Sequence, residues 1–473
     1  MRRAMNVLAA LAAASSLVAA GCGGVAEPGG TVPDSASLAP ADALAYATVT
    51  TDQSSDQWKQ AQHLLERFPG GRDQLSKLAE SLGGQGLTWE HDVAPALGPE
   101  VVLVVTAAKK EIVLVKPDDE TRLTALLEKS GQPVARSSVD GWVALAEDQA
   151  DLDAYRASLA RGSLATDDAL ASGFAALPED ALARVWVDVA ALAPQLIPKS
   201  AGQTSPSLDL GLDWLSAAVA AEQHGVKLVV GTHVPGGNGT EYEPDLFQHV
   251  PASAVAALSF GGTQKLVDQL ERRIPLGDIA NQVEKVTGVS VGGILDAFSG
   301  EGLVYVRPGD PAPEVTLVLA PPDADAVWAT VDTLAHTLAD RFGTTVKTVT
   351  EGGREVHVVD ADGQTMRYTR LDGGTVIVTT ASNGIADYTG DGAKLVSSDQ
   401  FRRAADEVGL GDRTGGFLYV DLDGLLPLIE GISGGTLPAD VRTQVEQLDS
   451  FILQASGDDG GTTSLSGFLR LND

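Results

Sequence analysis

A thiolate is the strongest nucleophile among the ordinary side chains, and this chain of 473 residues has a single cysteine, Cys22. It ends the stretch Leu17-Val18-Ala19-Ala20-Gly21-Cys22. Sulfur placed there can accept a lipid as a thioether, and the small residues before it let an extended backbone enter a peptidase groove. Other stretches have suitable residue types without the spacing. Gly431-Ile432-Ser433-Gly434-Gly435 spells a nucleophile elbow, but Pro427 stands just before it and His357, the last histidine, precedes it. The order serine, acid, histidine therefore fails, and Ser433 is expected in a loop. The seven histidines (His63, His91, His224, His233, His249, His336, His357) lack metal-ligand spacing. His224 and His233 lie ~30 Å apart if they flank one strand. The stretches 387–392 and 458–461 lack the alternating carboxylates and twelfth-place Glu of a calcium loop, and read as Asp-Gly turns. No phosphate-cradling Gly-rich loop occurs. The residues thus predict no catalytic group, no metal site and no cofactor; Cys22 is the one position with a nameable chemistry.

The elements around Cys22 support lipid attachment. Arg2 and Arg3 open a cationic start, and residues 7–20 form an apolar run broken only by Ser15 and Ser16. As a helix that run spans only ~21 Å, short of a ~30 Å hydrocarbon core, so residues 1–21 read as an export signal. Ala19-Ala20-Gly21-Cys22 resembles the lipobox of bacterial lipoproteins, departing at Ala19, where a larger aliphatic is usual. That resemblance implies an exported chain, lipid-anchored through Cys22 to the outer face of the cytoplasmic membrane.

Net charge is −31, falling to about −33 once the signal is removed. Such a surface has no basic patch with which to release counterions, which excludes nucleic acid as a partner. With Cys22 carrying lipid, no disulfide can form, and a chain this long needs none.

Residues 22–39 are rich in Gly, Pro and Ser and read as a flexible tether. Beyond it the chain reads as two tandem α+β repeats, 40–235 and 250–473, joined by Pro235-Gly236-Gly237-Asn238-Gly239. Pro40-Ala-Asp-Ala-Leu-Ala-Tyr46 opens the first and Pro251-Ala-Ser-Ala-Val-Ala-Ala257 the second. Tyr155 and Tyr388, and Asp188 and Asp421, stand 233 positions apart in matching contexts. Strands 101–105 and 111–116 lie too close for a crossover helix, so they form an antiparallel hairpin, with acid-rich helix starts following at Pro117 and Pro322. Each repeat is expected to close with a helix and a strand: 212–222 then 226–234, and 439–455 then 462–471. The second carries a hairpin insertion at 346–380. The fold class is α+β, antiparallel sheets with helices packed on them.

The paired acids Glu100/Glu301 and Asp188/Asp421 admit two readings. They could form a carboxylate site across a pseudo-twofold cleft, or serve as strand starts and helix caps, the reading duplicated structure favours. The openings, the stretch Ala96-Leu-Gly-Pro-Glu-Val-Val102 and the Val-Asp strand ends resemble a bacterial envelope family known only as a domain of unknown function, often lipid-anchored. The resemblance implies fold and location and brings no catalytic residues. The expected function is a non-enzymatic binding or interaction module with a protein or small-molecule partner. An envelope hydrolase with scattered residues and a solute-binding lipoprotein are the alternatives, the second opposed by the hairpins.

Overall fold

The computed structural model describes residues 29–71, 86–131, 133–196, 211–237, 241–261, 288–310, 312–361, 363–433, 435, 437–458 and 460–472, with positions 73, 77, 80 and 285. Cys22 and residues 1–21, expected as an export signal, lie outside them. The chain divides into two compact units, one of residues 1–239 with 457–473, the other of 240–456.

The first unit is built on β1 (Ala45–Thr50), β2 (Glu100–Val105), β3 (Glu111–Val115), β4 (Ala135–Val139), β5 (Trp142–Ala146), β6 (Ala183–Asp188), β7 (Trp214–Glu222) and β8 (Gly225–His233). All pair antiparallel in the order β4-β5-β3-β2-β1-β6-β7-β8, and β18 (Thr462–Leu471) adds itself along β8. Helices cover both faces. Val102, Val104, Ile112, Leu114, Ala144 and Ala146 pack with Leu152 and Tyr155 of α3 (Gln149–Leu159) and Leu170 and Phe174 of α4 (Asp168–Ala175). Val101, Val113, Val115, Val143 and Leu145 face Trp58 of α1 (Asp56–Glu66) and Leu123 and Leu126 of α2 (Glu120–Ser130). A strand buried on both faces needs apolar residues at every position, which is why β2 and β3 read as continuous valine-rich runs.

Three expectations change in this unit. Residues 29–39, expected as tether, belong to the fold. Val32 packs on the core, Asp34–Leu38 form a 3-10 turn with Ala36 and Leu38 buried, and Ser35 Oγ lies 2.8 Å from Tyr46 Oη. Trp214–Glu222, expected as a helix, is strand β7. Its alanines have high helix propensity, but Ala217, Ala218, Ala220 and Ala221 are buried in the sheet, and tertiary packing overrides the local preference. The third is the chain's end, which falls with unit 1 rather than with the second span because β18 is hydrogen-bonded along the whole of β8.

The second unit contains β9 (Ala256–Phe260), β10 (Glu301–Arg307), β11 (Glu314–Ala320), β12 (Lys347–Glu351), β13 (Arg354–Ala361), β14 (Gln364–Arg370), β15 (Val376–Thr379), β16 (Gly416–Asp421) and β17 (Leu448–Gly457). Its antiparallel order is β12-β13-β14-β15-β11-β10-β9-β16-β17. The stretch β14-β15-β11-β10-β9-β16-β17 thus runs in the same sense as β4-β5-β3-β2-β1-β6-β7. Individual bonds correspond as well: Leu44 N–H donates to Val105 O and Val255 N–H to Val306 O, while Asp188 N–H donates to Leu44 O and Asp421 N–H to Val255 O, all at 2.8–2.9 Å. One face packs Leu319 and Val376 under Val327 of α7 (Ala324–Phe342), capped by Asp323, whose Oδ1 accepts from Ala326 N–H. Phe247, Phe401, Phe417 and Tyr419 form a linked aromatic cluster.

Here too the expectations sharpen. Within the segment 346–380, β14 and β15 continue the strand order from β11, and the hairpin β12–β13 extends it beyond β14. Residues 439–455 split into α11 (Ala439–Val445) and strand β17. Ser433 is not in a loop: it ends α10 (Leu422–Ser433), which continues through Pro427. The proline forfeits one helical bond, and the burial of Leu426 and Leu428 offsets it. In the stretch 387–392, Asp387 lies in helix α8 (Gly384–Thr389) and Asp391-Gly392 form the bend after it, while Asp458 forms the expected turn, its Oδ1 accepting from Gly460 and Thr462 N–H.

Candidate functional site

The paired acids all do structural work. Asp188 Oδ1 accepts from Ala191 N–H at 2.8 Å and caps α5 (Val189–Leu196); Asp421 Oδ1 accepts from Gly424 N–H at 2.9 Å and caps α10. Such a cap satisfies an orphan donor and contributes about 1 kcal/mol. Glu100 opens β2 opposite Thr50, and burial pushes its carboxyl up. Glu301 opens β10 and accepts from Leu246 N–H at 2.8 Å; burial holds its pKa up at about 7, opposed by that hydrogen bond. Leu246 is held from the other side, since its carbonyl accepts from Tyr388 Oη–H at 3.0 Å. In unit 1 Tyr155 Oη–H donates likewise to Leu38 O. The two tyrosines matched by spacing are therefore clamps on the segments that enter β1 and β9.

Glu301 gives a pH test. Its folded pKa of about 7 lies above the ordinary 4.5. Below pH 4.5 both folded and unfolded chains carry the proton. Between 4.5 and 7 the unfolded chain ionises first, so unit 2 loses stability as pH rises through that window and levels off above 7. Glu301→Gln keeps an acceptor for Leu246 N–H without the charge. It should remove the slope and stabilise unit 2 at pH 8 by ~1–2 kcal/mol, a figure discounted for partial exposure. Thermal melts from pH 4 to 8 check this, and parallel curves for the two proteins would refute it.

Spacing alone left one constellation unread. Asp332 on α7 lies 3.7 Å from both His336 Nε2 and His357 Nδ1, each through a different oxygen, and its Oδ1 accepts from Tyr368 Oη–H at 2.7 Å. His357 Nε2 is 3.1 Å from Glu355 Oε1, and Trp328 meets the ring edge-on. An imidazole between two carboxylates is well oriented, and the i,i+4 pair Asp332/His336 was visible in the sequence. His357, however, sits on β13, and only the packing of that hairpin against α7 brings it in. Among the described residues no hydroxyl or thiol is hydrogen-bonded to His357, and no three His, Asp or Glu side chains are arranged to hold a metal ion. The cluster fastens β13 and β14 to α7. His233 is a simpler case, stacked on Trp214 and 3.7 Å from Asp213.

In unit 1 a cavity of about 340 Å³ lies beside α2, lined by Leu87, His91, Asp92, Arg122, Ala125, Leu126 and Lys129. Its size is at the lower end for small-molecule sites. Arg122 and Lys129 bring positive charge into a strongly acidic chain, loosely balanced by Asp119 at 3.7 Å and Asp92 at 3.9 Å.

No family model matches the chain, and no curated protein matches it. Among solved structures it has partial likeness to crystal forms I, III and IV of TP0453. The identity is 10–12%, covering 45–47% of this chain and 74–78% of that one, at a TM-score of 0.24. Likeness at that level transfers neither fold nor function to this chain.

Proposed function

We propose that the chain is an exported bacterial lipoprotein, anchored through Cys22 to the outer face of the cytoplasmic membrane, and that it acts there by binding a partner. The observation that carries this reading is the lone cysteine at the end of a short apolar run with a cationic start. It agrees with a body in which no described helix is long and apolar enough to cross a membrane. Binding is favoured over catalysis because Asp188, Asp421 and Glu301, the acids best placed for chemistry by spacing, each have an oxygen engaged by backbone N–H. The cavity beside α2 suits a small ligand carrying negative charge. The common strand order and the matched hydrogen bonds support descent of both units from one ancestral repeat, with β12–β13 added to the second.

Cys22→Ser is the test. The unaltered chain should incorporate an alkyne-tagged fatty acid and fractionate with membranes. The variant should lose the label and fall at least tenfold in the membrane fraction, because two or more acyl chains supply the anchoring. Normal processing and undiminished membrane association of the variant would overturn the reading.

A further inference from the structure

The hairpin β12–β13 ends the sheet of unit 2, and β12 pairs with β13 alone among the described residues. Lys347, Thr348, Val349 and Thr350 are all exposed, Val349 at 37%, so neither strand face nor the outer edge is covered. The corresponding end of unit 1 is guarded: Arg156 Nη2–H donates to Ser138 O on β4 and also reaches Ser137 Oγ. A bare edge is a template for another strand unless something blunts it.

The pairing direction is set by the turn. Gly352 and Gly353 have φ of +58° and +80°, the geometry of a two-residue primed turn, so Glu351 and Arg354 flank it as a hydrogen-bonded pair. Alternation then points the backbone groups of Lys347, Val349 and Glu351 at β13 and those of Thr348 and Thr350 outward. We propose that these outward groups pair with the same groups of a second copy, β12 against β12 antiparallel, on a twofold axis through Val349. In that register Thr348 meets the partner's Thr350 and exchanges both backbone hydrogen bonds, and the reverse pair repeats it. Val349 meets the partner's Val349 in a close, non-hydrogen-bonded pair. Lys347 stands opposite the partner's Glu351 on the same face, so the sequence Lys-Thr-Val-Thr-Glu is self-complementary in charge and shape. Within one chain Lys347 lies 3.4 Å from Asp360 and Glu351 4.0 Å from Arg367, which prolongs the alternation of charge on both sides.

Two five-residue strands bury on the order of a few hundred Å² per copy, below the size of a stable interface. The pairing is therefore weak in dilute solution and gains strength where chains are concentrated, as on a membrane. It does not depend on the lipid reading, because concentrated unanchored chain should pair as well.

Full-length chain carrying Val349→Cys, mildly oxidised both in membranes and purified at high concentration, provides the test. A disulfide can bridge this close pair. We expect a linked dimer forming at least tenfold faster than with Val441→Cys, a slightly more exposed valine elsewhere in unit 2. Adding Lys347→Glu should slow it at least fivefold by placing like charges opposite each other, and adding Lys347→Glu with Glu351→Lys should restore it. A rate equal to that of Val441→Cys, or one indifferent to the charge changes, overturns the proposal. Dimer formation by the unaltered chain would instead report a free Cys22, counting against lipidation and leaving β12 pairing to be judged from the charge series.

Discussion

Ending the chain at Ser456 is expected to abolish the cooperative unfolding transition of the first unit, although every residue removed lies more than two hundred positions downstream of that unit's other strands. β18 is in register with β8 over nine pairs, from Thr462 opposite His233 to Arg470 opposite Gly225. It buries Phe468 and Leu471 at 1% and 2% exposure, and Leu471 N–H donates to His224 O at 2.9 Å. Burying two such side chains contributes about 1.5–3 kcal/mol each, and each ladder hydrogen bond about 0.5–1.5. The total is comparable with the whole stability of a domain, about 5–15 kcal/mol. The truncated chain would also expose β8 as a long edge and should aggregate. Thermal melts and hydrogen exchange at the β7 and β8 amides decide the matter. A melting point within a few degrees of the intact chain, with protected β8 amides, would show that β18 is dispensable.

This dependence was hidden in the sequence for a physical reason. That 462–471 is a strand was legible, but its partner is a property of the packed sheet. The β2–β3 hairpin was legible because five intervening residues cannot hold a crossover. The caps at Asp188 and Asp421 were legible because an acid before an apolar helical run has a local purpose. β7 was misread because alanine's helix preference is local while its burial here is not. The cluster around Asp332 needed a strand 25 positions away, which spacing does not encode. The bareness of β12 likewise became visible only once its neighbours were known.

Arg307 shows the same contrast between the units, and its replacement should have the second large effect. At the end of the β2–β3 hairpin, Thr106 Oγ1–H simply donates to Lys110 O. At the end of β10, Arg307 is 8% exposed, with Nη1 2.7 Å from Asp387 Oδ2 and Nη2 2.8 Å from Glu314 Oε2. It thereby ties α8 and the start of β11 to one point, and α8 also supplies the Tyr388 clamp on Leu246. Attraction to the two carboxylates holds the guanidinium above its ordinary pKa despite burial, which alone would lower it. Arg307→Ala removes the guanidinium between the two carboxylates and should cost unit 2 about 3 kcal/mol, the lower end for a broken buried pair because Asp387 and Glu314 are partly exposed. If uncompensated charge is the cause, adding Glu314→Gln and Asp387→Asn to Arg307→Ala should recover more than half of that loss, because the volume lost at 307 is the same in both variants and the neutral groups need no counterion. Denaturant titration of the single and triple variants distinguishes this from a packing defect. Equal destabilisation of the two would assign the cost to the lost volume of the arginine stem and would reduce the ion-pair network to a minor contributor.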